Sequence, residues 1–133
     1  MDADKNNDLA PHPLPSSPDA AVMAFVGAAD RRDLAEMEAL LHPDFRVAVT
    51  VLGSDSVRTI DRATYLSLLG AGKLGGTPRR ATIDGRVERG AMAHVTATLV
   101  GDGGRFSSAY SLAGQPGGWR LLQDATVFEP ARP

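Results

Sequence analysis

Pro43 constrains this chain more than any other residue. It sits in Leu41-His42-Pro43-Asp44-Phe45, between a stretch patterned for helix and one patterned for strand. Upstream, Leu34, Met37, Leu40 and Leu41 fall three or four residues apart, the spacing of an apolar helical stripe. Downstream, Phe45, Val47, Val49 and Val51 alternate with Arg46, Ala48, Thr50 and Leu52, the period of a strand with two faces. A proline inside a helix removes a hydrogen bond and clashes with the preceding turn, so the helix is predicted to end at this junction. His42 there is expected to complement the helix dipole or bond a terminal carbonyl. The chain must turn from helix to strand within a few residues.

A first helix is predicted from Pro18. Ser17 suits the N-cap, Pro18 the first helical position, and Asp19 the positive end of the dipole. Val22, Phe25, Val26 and Ala29 fall on one face of it. Asp33 and Glu36 are spaced as a capping box that opens the second helix. Residues 1–17, polar and then proline-dense, are expected to be a disordered leader with His12 solvated, because they cannot bury enough apolar area to offset ordering. Residues 129–133 read as a short C-terminal tail, which leaves 18–128 as a single domain.

After the first strand, Gly53 to Ser56 is a turn, 57–60 a short strand, and Asp61 the cap of a third helix carrying Tyr65, Leu66, Leu68 and Leu69. Gly70 to Pro78 is glycine-rich and reads as a mobile loop. Strands are predicted at 80–89, 91–100, 105–113 and 119–128, as an antiparallel meander. A two-residue turn at Asp102-Gly103 pairs Val100 with Arg105, Leu99 with Phe106, Val95 with Tyr110 and Ala93 with Leu112. This register gathers the bulky apolar pairs on one face, and His94, Thr96, Thr98, Ser107, Ala109 and Ser111 on the other. Pairing Trp119 near Gly114 then puts Trp119, Leu121, Gln123, Ala125 and Val127 on the apolar face, and Arg120, Leu122, Asp124, Thr126 and Phe128 on the polar one.

Several function classes are excluded or unsupported. The 133 residues contain no cysteine, so disulfides, thiolate metal sites and a cysteine nucleophile are absent. A net charge of −2 gives no field favouring nucleic acid or an anionic membrane. No apolar run approaches the ~20 residues of a membrane span. There is no secretory-signal pattern, so a cytoplasmic location is expected. Phosphate loops, a nucleophile elbow and His-Glu-x-x-His are missing, and neither a metal nor a cofactor is expected.

The helix–helix–strand order makes an α+β chain. Leu40-Leu41-His42-Pro43-Asp44-Phe45 and the closing Gly118-Trp119-Arg120-Leu121-Leu122 strand resemble the nuclear-transport-factor-2-like superfamily. That group includes ketosteroid isomerases, polyketide cyclases and dehydratases, and the chain most resembles small bacterial members labelled lumazine-binding or ketosteroid-isomerase-like. The resemblance implies a cone-shaped fold, with three N-terminal helices packed on a curved antiparallel sheet, a ligand held between them, and a homodimer formed through the outer sheet face. It also implies what is missing. Matched to the isomerase pattern, the tyrosine position is Phe25 and the aspartate position Val49. A phenyl ring cannot donate the required hydrogen bond and valine cannot move a proton, so the known isomerase route is not expected.

Three readings remain. The first is a pocket protein for a small, largely apolar or aromatic metabolite, without an evident catalytic set. Phe25, Met37, Val49, Tyr65 and Trp119 would supply its walls, with Tyr110 and Gln123 as the polar specificity pair. The second is a lyase or isomerase of the polyketide-cyclase or dehydratase type using His94 or Asp124, although the register puts both on the polar face. The third is a dimerisation module with a filled core. Asp124 is expected to pair with Arg120 or another surface base, and Arg79, Arg80, Arg86 and Arg89 to form a solvated or interface face. Pterin or lumazine binding rests on the family label alone.

Overall fold

The computed structural model describes residues 13–132. The leader expected at 1–17 therefore lies mostly outside the described residues, as do His12 and Pro133. Helix α1 spans Pro18–Arg31 and opens as the sequence predicts, with the Ala20 amide donating to Ser17 Oγ at 3.1 Å. Its buried face carries Val22, Phe25, Val26 and Ala29. Helix α2, Leu34–Leu40, is capped by Asp33, whose Oδ1 accepts from the Glu36 amide at 3.1 Å.

The helix ends earlier than Pro43 alone would require. Leu41 is already extended (φ −88°, ψ 129°) and opens strand β1, Leu41–Val51. The residue before a proline avoids the helical region, which withdraws His42 from the helix and the last turn with it. His42 is therefore not at a helix end as expected; its Nδ1 accepts from the Asp44 amide at 3.0 Å. Strand β2 (Arg58–Asp61) and helix α3 (Arg62–Gly70) follow, with Asp61 Oδ1 accepting from the Thr64 amide at 2.9 Å. Strands β3 (Arg79–Arg89), β4 (Met92–Gly101), β5 (Gly104–Gln115) and β6 (Gly118–Pro130) complete the chain.

The six strands form one sheet in the order β2-β1-β6-β5-β4-β3. The sheet is mixed and not all-antiparallel as expected, because β1 pairs with β6 in parallel, from Val47 beside Asp124 to Val51 beside Phe128. A parallel pair requires a long crossover, and here β2, the third helix and the strands β3, β4 and β5 supply it. The β4–β5 register is the predicted one, with Val95 opposite Tyr110 and Leu99 opposite Phe106.

The β5–β6 register begins as predicted, with Gly114 opposite Trp119, and then breaks. Leu112 faces Leu121 but Ser111 faces Gln123, so Leu122 has no partner and forms a β-bulge. One unpaired residue inverts every side chain beyond it. Asp124 and Thr126 turn to the buried face, while Gln123 turns to the exposed one. The predicted assignment of faces on β6 is therefore reversed from Gln123 onward.

The helices pack on the buried face through aromatic contacts. Phe25 is their hub, with ring centroids 5.9 Å from Phe45, 6.0 Å from Tyr65 and 5.8 Å from Tyr110. Residues 71–78 cross between α3 and β3 and are fastened to the end of α1. Arg32, in the left-handed region at φ 53°, donates to the carbonyls of Gly72 (3.0 Å), Leu74 (2.9 Å) and Gly75 (2.9 Å), and the Gly76 amide donates to Ala29 O at 3.0 Å. Gly75 (φ +70°) has no room for a side chain, because a Cβ would collide with the Ala29 carbonyl and lie 2.9 Å from Leu69 Cδ1.

Gly75→Ala should thus cost about 2–3 kcal/mol in urea unfolding. Gly53→Ala, also at positive φ (+93°) but facing open space, should cost about 1 kcal/mol. Equal costs would show that the loop yields and that Gly75 is not held against α1.

Candidate functional site

Between the buried sheet face and the helices lies a cavity of about 280 Å³. Phe25 from α1, Val47 and Val49 from β1, Ile60 from β2, and Leu99 and Phe106 from β4 and β5 give it apolar walls. The walls follow from alternation: each strand sends every second side chain inward, and these are mostly valine, leucine or phenylalanine. Exposed Thr77 and Gly103 border the open end. The volume falls just below the usual range of ligand pockets, ~300–1,000 Å³, so an occupant must be small.

Polar groups are few and set deep. Tyr110 is 1% exposed and Asp124 9%, and the two stand opposite one another on β5 and β6. Tyr110 Oη and Asp124 Oδ1 are buried without a hydrogen-bond partner among the described residues. Ser108 and Thr126, one pair further along, bond each other at 2.7 Å. Arg79 also lines the cavity. Its Nε donates to Asp30 Oδ1 at 2.8 Å, its backbone amide to Asp30 Oδ2 at 2.9 Å, and its guanidinium lies 5.0 Å from the Phe106 ring centre.

These surroundings shift the acids. Burial pushes the Asp124 carboxyl up to about 7, with Arg79 only partly opposing the rise. Burial, reinforced by the nearby Asp124, also raises the hydroxyls of Tyr65 and Tyr110, with the Ser108 hydroxyl opposing part of the rise at Tyr110, and both stay neutral at physiological pH. Among the described residues, no group of three or more His, Asp or Glu side chains is placed to hold a metal ion.

The structure brings together part of the set named from sequence. Phe25, Val49, Tyr65 and Tyr110 line the cavity. Met37 is fully buried in the core beneath α2, and Trp119 is half-buried against the core, but neither borders the cavity. Gln123 is exposed on the outer face, so the polar partner of Tyr110 is Asp124 instead; the bulge at Leu122 exchanges the two. Asp124 therefore does not pair with a surface base as expected. His94 stays on the outer face, with Nδ1 3.2 Å from Ser111 Oγ, and does not reach the cavity.

Among the lining residues that were missed, Ser108, Thr126 and Arg79 carry polar groups against the sheet. Ser108 shares the parity of Phe106 and Tyr110, and that alternation was a usable signal. Thr126 was hidden by the bulge. Arg79, read as part of a solvated arginine face, is only 15% exposed because Asp30, far away in sequence, holds it inward. The expectation stands better for Arg86, which is half-exposed and meets Asp19 at 3.1 Å.

A carboxyl raised by burial stabilises the fold while it is protonated. The contribution is complete below pH 4, where folded and unfolded chains are both protonated at this site, and it is lost as the pH climbs through 7. The loss amounts to roughly 4 kcal/mol. Asp124→Asn should flatten that part of the pH–stability curve and melt above the parent protein at pH 8. Parallel melting curves from pH 4 to 8 would contradict the burial argument.

No family model matches this chain, and no curated protein matches its sequence. Solved structures do match in shape. An NTF2-like protein of unknown function from Silicibacter pomeroyi superposes with a TM-score of 0.70 at 17% identity, covering 83% of this chain and 91% of that one. A second, from Shewanella baltica, gives 0.71 at 13% identity over 84% and 90%. A third, from Methylobacillus flagellatus, gives 0.67 at 17% identity over 87% and 97%. Among the described residues no helix is long and apolar enough to cross a membrane. At these identities the likeness is one of architecture: this chain has the nuclear-transport-factor-2-like fold.

Proposed function

We propose that this chain binds a small, largely apolar or aromatic molecule in the cavity between its helices and sheet. One observation carries the reading: Tyr110 Oη and Asp124 Oδ1 are buried and unpartnered at a cavity otherwise walled by apolar side chains. Native proteins rarely leave such atoms unpaired, since each costs ~1–3 kcal/mol, and a ligand's polar end supplies what is lacking. The ligand's body then rests on Phe25 and Val49. The cavity itself argues against a module with a filled core. A cytoplasmic setting suits a chain without cysteine.

A thermal-shift panel of small aromatic molecules tests the reading. A ligand at ~100 times its Kd adds ~2.7 kcal/mol, a rise of roughly 10 °C for a domain of this size. Val49→Phe, which narrows the cavity, should abolish the shift, and Tyr110→Phe should weaken binding about fivefold. A shift that survives both substitutions places the ligand elsewhere.

A second reading is favoured by the Asp124 carboxyl, which burial brings close to the pH at which a general base works best. In a lyase or isomerase, Asp124 would take a proton from bound substrate. Asp124→Asn would then abolish turnover while binding persisted; His94, on the opposite face, would be dispensable.

The same proposal pairs two copies through the outer sheet face. Ala48, Ala125 and Ala109 form a row of small side chains across β1, β6 and β5 there, flat enough for a second sheet to approach. Ala125→Arg should convert a dimer to a monomer in sedimentation equilibrium; an unchanged mass would remove this face from the assembly.

A further inference from the structure

We infer that the cavity selects a small cation, a protonated amine on an apolar or aromatic body, and pairs it with Asp124. This rests on the pocket reading above and names its ligand class. The argument starts from the charges. Of the residues lining the cavity, only Arg79 and Asp124 are charged. Arg79 is already compensated: Asp30 accepts from both its Nε and its backbone amide, the side chains of the pair are only 15% and 13% exposed, and the guanidinium rests over Phe106. Asp124 has neither a hydrogen bond nor an ion pair among the described residues. Arg79 is near enough to be felt but makes no contact with it. The charge left without a partner is therefore negative.

The walls agree with this sign. Phe25, Tyr65, Phe106 and Tyr110 border the cavity, and aromatic rings attract cations through their faces, most strongly where water is excluded. An ammonium also brings three donors, enough for Asp124 Oδ1 and for the Tyr110 oxygen as acceptor. A carboxylate ligand would instead meet Asp124 at close range, with Arg79 already committed to Asp30.

Groups packed around Asp124 leave it in control of the pH response. Tyr110 on β5 and Tyr65 on α3 remain neutral hydroxyls, Arg79 on β3 remains paired with Asp30 from α1, and β1 offers only Val47 and Val49. An amine that binds the carboxylate must displace a proton from Asp124 below neutrality. Its affinity should fall about tenfold between pH 8 and pH 6.

The test is calorimetry on the full chain with three probes of matched shape: 2-phenylethylamine, 2-phenylethanol and 3-phenylpropionate. We expect the amine to bind at least tenfold more tightly than the alcohol at pH 8, and the acid to bind worst. Asp124→Asn should erase both the preference and the pH dependence, while Asp124→Glu should keep the preference. Should the Asn variant fail to fold, as judged by circular dichroism, the Glu variant and the pH profile decide. Alcohol or acid binding as tightly as amine overturns the charge assignment and leaves the pocket reading standing. Amine affinity that is the same at pH 6 and pH 8 also overturns the charge assignment. Absence of heat from all three probes at millimolar concentration overturns both.

Discussion

The parallel pairing of β1 with β6 holds this structure together. It joins the first strand to the last, Val47 beside Asp124 and Val51 beside Phe128, and places the last strand in the middle of the sheet rather than at its edge. No inner face exists for the helices until that strand is in place. The pairing is also non-local, so loop-closure entropy is spent before its contacts form, and folding should be slower than for a helical domain of equal size. Phe25 then registers α1 on the finished face by touching Phe45, Tyr65 and Tyr110 from three sides. The aromatic hub, the sheet and the cavity floor are thus one object.

Within that frame the cavity departs from good packing in a particular way. Asp30 holds Arg79 with two hydrogen bonds, and Ser108 satisfies Thr126, whereas Tyr110 and Asp124 face each other's strands with atoms unmet. A sequence optimised only for stability would fill this space with apolar side chains, since a buried acid weakens the fold whenever it ionises. Departures of this kind from a fold's own rules are where function is expected.

Much of the architecture could be read from the residues. Caps at Ser17, Asp33 and Asp61 fixed the helix starts, and the Asp102-Gly103 turn fixed the β4–β5 register, because these signals are local. What failed was non-local. Nothing within β1 announces that its neighbour is parallel, and nothing near Arg79 announces Asp30 on another element. Four of the seven lining residues named from sequence border the cavity, Phe25 and Tyr65 through helical spacing, Val49 and Tyr110 through strand alternation not yet broken by any irregularity. Gln123 and Asp124 were exchanged because the adjacent leucines Leu121 and Leu122 interrupt the alternation without marking which residue goes unpaired.

That bulge ties the two faces of the sheet to one residue. Were Leu122 to take the place opposite Ser111, Gln123, Ala125 and Val127 would turn toward the cavity and Asp124, Thr126 and Phe128 outward, with no residue added or lost. The lining would lose its acid and the Thr126 hydroxyl at one stroke, and the outer face would exchange Ala125 for charged and bulkier neighbours. The cavity lining and the outer sheet face can therefore change together through a slip of one residue rather than through a series of substitutions.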